Sequence, residues 1–173
     1  MRAPESRGSL ANHGSLVVGY GNPLRSDDGI GWVIAGRLST DPRFAGTDVL
    51  QRHQLTPELA LDVSRADLVV LVDARSGQPA GTVAVETVGA SAASGGSWSH
   101  HLGPASLVAL ARELYGRAPE VHVVSIGVGT LEVGEGLSPA VEAAIEPAMD
   151  TIAGLVQPAV AGTTERVAEI GRA

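Results

Sequence analysis

Two adjacent carboxylates in a glycine turn, a third carboxylate closing an apolar run, and two neighbouring histidines are the residues of this sequence best suited to chemistry. Asp27 and Asp28 stand in GYGNPLRSDDGIG, residues 19–31; Asp73 follows LVVLV; His100 and His101 lie in SHHLG. Two carboxylate oxygens and one imidazole nitrogen, drawn from three separate segments, make an open divalent-cation site with positions left for water or substrate. Adjacent residues seldom point the same way, so only one of His100 and His101 is expected to serve chemistry. Of the other histidines, His53 could line the same crevice, His122 suits a hydrogen-bonded place in a strand, and His13 falls in the N-terminal segment. Other chemistries are excluded by composition. With no Cys there is no thiol nucleophile, thiolate site or disulfide. All twelve basic residues are Arg, which removes a Walker lysine, a Schiff-base lysine and a Ser-Lys dyad. No Gly-x-Ser-x-Gly elbow occurs.

A Gly-x-Gly turn that opens a helix usually marks a phosphate site. Here position 24 is Leu where a dinucleotide fingerprint needs Gly, and two carboxylates repel a phosphate unless a cation lies between them. The simpler alternative is capping, since an Asp at a helix start accepts N–H bonds and opposes the positive dipole end. One aspartate is enough for that, and the second can point into a crevice. Asp73 reads either as a turn or cap residue facing the crevice or as a functional carboxylate. A charge at the end of a central strand is costly unless solvated, paired or metal-bound.

The elements that must position these groups alternate. Residues 15–20 (SLVVGY) form a buried strand, and Ile30, Val33, Ile34 and Leu38 recur at helical spacing from Asp28 to near Pro42. Residues 47–52 make a second strand, and Thr56-Pro57-Glu58 opens a second helix. Residues 67–74 (DLVVLVDA) give the central strand and residues 82–88 an edge strand. Residues 90–99 form a Gly/Ser/Ala loop, 104–115 a helix stopped by Gly116, and 120–128 a strand. A final helix runs from Ser138-Pro139 to about residue 156. The order predicts an α/β fold: a three-layer α/β/α sandwich whose mostly parallel, twisted sheet of about five strands is flanked by helices. In such sheets ligands bind beyond the carboxyl ends of the strands, which selects the loops at 19–28, 73–79 and 89–103.

The 173 residues fit one core, expected over 15–157, with 1–14 a disordered leader and 158–173 a flexible tail. Aromatics are only 3%, so Val, Leu, Ile and Ala must fill the core. A net charge of −7 argues against nucleic acid as a partner. No apolar stretch is long enough to cross a bilayer and the N-terminus has no signal-peptide core, so the cytoplasm is the expected compartment. A compact domain acting on a protein suggests a monomer.

The sequence resembles the maturation endopeptidases of nickel-iron hydrogenases. Gly19, Gly21, Asn22, Leu24, Asp27, Asp28 and Gly31 fit that family's leading signature, G-x-G-N-x-L-x-x-D-[DE]-x-x-G. LVVLVDA is similar to its central strand ending in Asp-Ala, SHHLGPASLVALA to its Ser/Thr-His loop and helix, and residues 134–141 to the lead into its last helix. The likeness spans about residues 15–157. It implies that Asp28, Asp73 and His100 are metal ligands, with His101 as the alternate, and that Asp28 and Asp73 are the catalytic carboxylates of a metal-assisted aspartate site. Some members carry Glu where this chain has Asp28; Asp is one methylene shorter and still offers oxygen. The resemblance further implies the reaction: removal of a C-terminal extension from the hydrogenase large-subunit precursor after nickel insertion. The nickel is then recognised in the substrate, and Zn or Cd would occupy the same ligands in the isolated protein.

Asn22 is expected to hold its loop by side-chain-to-backbone bonds, with substrate contact the other reading. Arg25 would meet a carboxylate or carbonyl of the precursor or stay solvated, and Gln54 and Leu55 would help dock the substrate. Trp98 reads as a packing anchor or as part of the docking surface. Two alternatives stand beside the endopeptidase: a chaperone that docks on the hydrogenase nickel site without cutting, and a nucleotide enzyme using Mg held by Asp28 and Asp73.

Overall fold

The computed structural model describes residues 13–89 and 102–157. The leader before residue 13, the loop at 90–101 with His100, His101 and Trp98, and the tail after 157 lie outside the described residues. Five strands form one sheet: β1 (His13–Tyr20), β2 (Asp48–Arg52), β3 (Ala66–Arg75), β4 (Val83–Val88) and β5 (Glu120–Gly127). Their order is β2-β1-β3-β5-β4, parallel except for the antiparallel edge strand β4. The helices are α1 (Ile30–Leu38), α2 (Leu59–Arg65), α3 (Pro104–Tyr115), α4 (Pro139–Ala143) and α5 (Ile145–Val156).

Alternation along the strands divides the core into two layers. Val17, Val70, Val72, Val124 and Ile126 face α1 and α5, packing with Ile30, Ile34, Ile145, Met149 and Ile152. Leu16, Val18, Val69, Leu71 and Val121 face α2 and α3, packing with Leu59, Val63, Leu107 and Ala111. Each fully buried Leu, Ile or Val contributes about 1.5–3 kcal/mol relative to exposure. The three-layer α/β/α sandwich expected from the alternating pattern is therefore the observed architecture.

Several local boundaries differ from the sequence reading; the second helix, read as opening at Thr56-Pro57-Glu58, starts at Leu59 with Glu58 at its N-cap. β1 starts at His13, two residues into the segment read as leader. The first helix does not begin at Asp28; residues Ser26–Gly29 make a 3-10 turn and α1 starts at Ile30. The final helix is broken after Ala143, because Pro147 has no N–H for that carbonyl and its ring crowds the preceding turn.

The topology fixes where a ligand can enter. From β1 the chain passes over one face to β2, then returns across β1 on the other face to β3. The crevice beyond the carboxyl ends of β1 and β3 is thus the switch point of the sheet. It receives the loop after Tyr20 and the end of β3. β1 and α1 meet there backbone to backbone: a Cβ on Gly19 would lie 2.0 Å from the Gly31 carbonyl oxygen, and one on Gly31 2.3 Å from that of Tyr20. Only glycine at both positions allows the helix to close on the strand.

Candidate active site

The loop after β1 turns back on the first turn before α1. Gly21 has φ +138°, and a Cβ there would fall 1.9 Å from the Asp28 carbonyl oxygen. Asn22 accepts a hydrogen bond from the Leu24 N–H at its Oδ1, 3.0 Å, so it shapes the loop as its side chain suggests. The Asn22 N–H is donated to Asp28 Oδ2 at 3.0 Å. A backbone donor that a phosphate would use is thus satisfied by the protein's own carboxylate.

The two aspartates do different work. Asp27 is fully buried and caps no helix of its own. Its Oδ2 accepts from the N–H groups of Gly129 and Thr130 at 3.0 and 3.1 Å and from Ser138 Oγ at 2.9 Å, while Oδ1 accepts from the Ser138 N–H at 2.6 Å. Burial alone would raise this carboxyl; the bonds donated by Ser138, Gly129 and Thr130 hold it below the usual range. Asp27 ties the first loop to the segment between β5 and α4. Arg25 strengthens the same seam, donating to the Leu131 carbonyl at 3.3 Å.

Asp28 is half-buried and lines a cavity of about 440 Å³ together with Asp73, Tyr20, Asn22, Arg25 and His53. Gln54, Leu55 and Leu102 complete its wall. The structure therefore brings Asp28 and Asp73 into one hollow at the switch point, with Asn22, Arg25, Gln54 and Leu55 around it. His53 is stacked on Trp32, ring centroids 4.6 Å apart.

Asp73 is shaped by Tyr20, which the sequence reading did not single out. The Tyr20 hydroxyl donates to Asp73 Oδ2 at 2.8 Å. Desolvation pushes the Asp73 carboxyl above its ordinary range, the Tyr20 bond opposes this, and the charge of Asp28 adds to the rise. Tyr20 itself is pushed up, by burial first and then by Asp73. The signal was available in the sequence: residues 16, 18 and 20 alternate onto one face, so a strand-end tyrosine there must aim its polar tip at the crevice. Tyr20→Phe is expected to lower kcat for the reaction at this site roughly tenfold, about the worth of one hydrogen bond to a charged group, with little change in KM. Steady-state kinetics checks this, and an unchanged kcat would remove Tyr20 from the site.

Two carboxylates in one partly desolvated hollow suit a cation, which relieves the repulsion between them. Among the described residues no cluster of three His, Cys, Asp or Glu side chains could hold a metal ion. The expected histidine donors, His100 and His101, lie outside the described residues. No helix among the described residues is long and apolar enough to cross a membrane.

No protein-family model and no curated protein matches the chain. Solved structures do. The hydrogenase maturating endopeptidase HybD from E. coli is 29% identical over 80% of this chain and 88% of its own, with a TM-score of 0.65. The solution structure of an endopeptidase from Escherichia coli matches at 29% identity, the same coverage and a TM-score of 0.64. A [NiFe] hydrogenase maturation protease, HycI from Thermococcus kodakarensis KOD1, shares the fold at 21% identity, covering 84% of this chain and 94% of its own, with a TM-score of 0.64. The signature of residues 19–31 thus sits in the switch-point loop of a fold that this chain shares with hydrogenase maturation endopeptidases, to which it is similar over 80% of its length.

Proposed function

We propose that this protein removes a C-terminal extension from the large-subunit precursor of a [NiFe] hydrogenase after nickel insertion. The observation that carries the reading is the meeting of Asp28 and Asp73 in one cavity at the sheet's switch point. The similarity to maturation endopeptidases supports the reaction class. With no cysteine and no Gly-x-Ser-x-Gly elbow in the chain, a water held in the cavity is the proposed attacking group.

The substrate's nickel, engaged by Asp28 and Asp73 and by a histidine of the SHH loop, supplies recognition and polarises the scissile carbonyl. The chain's own residues do the rest. Tyr20 fixes one oxygen of Asp73 and so orients the carboxylate at the cavity wall. Asn22 pins Asp28 through its N–H and keeps the loop closed. A carboxylate oxygen not spent on the nickel would take the proton of the attacking water, and Asp28 and Asp73 are the candidates. Against the Mg-nucleotide alternative stands the Asn22 N–H, a donor that a phosphate would use, which is already given to Asp28 Oδ2.

The test is an intact-mass assay of the nickel-loaded precursor incubated with this protein. Loss of one discrete C-terminal fragment is expected. An unchanged mass with a stable complex would mean a docking chaperone instead. Precursor lacking nickel is expected to stay whole, and its efficient cleavage would refute metal-guided recognition. His100→Ala is expected to slow cleavage more than His101→Ala; the reverse ranking would shift the ligand by one residue.

A further inference from the structure

A second cavity, of about 390 Å³, lies on the other flank of Asp73, between the β5–β4 side of the sheet and the first turn of α3. Asp73 lines both hollows. The segment entering α3 also borders both, with Leu102 on the first and Pro104 and Ala105 on the second. Asp73 and Ser125 are directly opposite in the β3–β5 ladder, so their side chains share a face, and Val123 shares it two residues earlier. The two hollows therefore lie on one face of the sheet and meet at one carboxylate. A peptide whose scissile bond sits at Asp73 must lead away from it in two directions, and each direction ends in a hollow.

The lining selects what enters. Arg75 and Glu86, at its wall, pair with each other. Small side chains, Ala105 and Ser125, leave the space open, and Val123 makes part of the wall apolar. Ser125 is buried, and its hydroxyl has no hydrogen-bond partner among the described residues. Buried hydroxyls are ordinarily paired, and the main chain of a bound peptide would supply the missing partner. A volume of about 390 Å³ falls within the range of sites that enclose a ligand group.

We infer that this second cavity is the subsite for the uncharged side chain beside the cleaved bond, and that Ala105 and Ser125 set the size it admits. The inference rests on the protease reading of the first cavity and adds a specificity determinant to it.

Ala105→Leu and Ser125→Val fill the cavity from opposite walls. Ala105 is half-buried in the first turn of α3, where Leu is a good helix former, so the test does not depend on the buried Ser125 alone. Initial rates are measured on two nickel-loaded precursors: the native one, and one with Gly on both sides of the bond that wild-type protein cuts. On the native precursor each variant is expected to lose about tenfold or more in kcat/KM, carried by KM. On the Gly precursor variants and wild type are expected to match. Folded variants that equal wild type on the native precursor would overturn the inference, as would an equal loss on both precursors, which would place the damage at Asp73. A wild-type protein that cuts neither precursor would instead overturn the protease reading, a result distinct from either of these.

Discussion

Asp28→Asn and Asp73→Asn are each expected to lower precursor cleavage by roughly 10²–10⁴-fold, the usual worth of a positioned acid–base group, while leaving the protein folded. The fold should survive for a physical reason. Asp73 is held above its ordinary range by desolvation, so the folded state disfavours its charge. Neutralising it removes that cost, and the amide oxygen can still accept from Tyr20. The sign follows: with the folded value raised, ionisation of Asp73 weakens stability as pH climbs from the unfolded value through the folded one. Asp73→Asn should therefore be at least as stable as wild type near neutral pH. Asp28 is half-buried and bonded to one backbone N–H, a contact that Asn also supports. Intact-mass kinetics and thermal melts check both halves. A fully active Asp73→Asn protein would remove that residue from the site.

Its neighbour in sequence is expected to behave in the opposite way. Asp27→Asn should cost about 3 kcal/mol of stability, because the new amide NH₂ turns a donor towards the donating groups of Gly129, Thr130 and Ser138. For a domain of this size that is a fall of about 10 °C in Tm. Asn nearly matches Asp in shape, so the loss reports hydrogen bonding and not a cavity. The pH dependence has a definite sign. The folded value of Asp27 lies below the unfolded one, so its contribution is complete above the unfolded value and is lost as pH falls through the folded value. The gap between wild type and Asp27→Asn should thus be widest near neutral pH and shrink in acid. A gap that does not change with pH would mean that ionised Asp27 is not what holds the 129–138 segment. Cleavage measured on the folded fraction should fall much less than for Asp28→Asn, which separates anchor from site.

Much of this was legible in the sequence. Val and Leu runs in β1 and β3 have no polar face, and only a doubly covered parallel sheet can bury them, so the three-layer architecture followed from local composition. The signature at 19–31 located the crevice because glycines at 19, 21 and 31 permit a backbone approach that no other residue allows. Asp73 was legible because a charge after five apolar residues has to find the sheet's open end.

What sequence could not decide was which partner each side chain meets across large separations. Asp27 and Asp28 are chemically identical neighbours, and only the arrival of a segment more than 100 residues later makes one a buried anchor and leaves the other facing the cavity. The bond from Tyr20 to Asp73 spans 53 positions and exists only because β1 and β3 are adjacent in the sheet. The second hollow, likewise, is formed by β3, β4, β5 and α3 together, and none of their sequences announces it. Periodicity and backbone chemistry are local and can be read along the chain. Hydrogen-bond partners and cavities arise from packing, which only the folded arrangement decides.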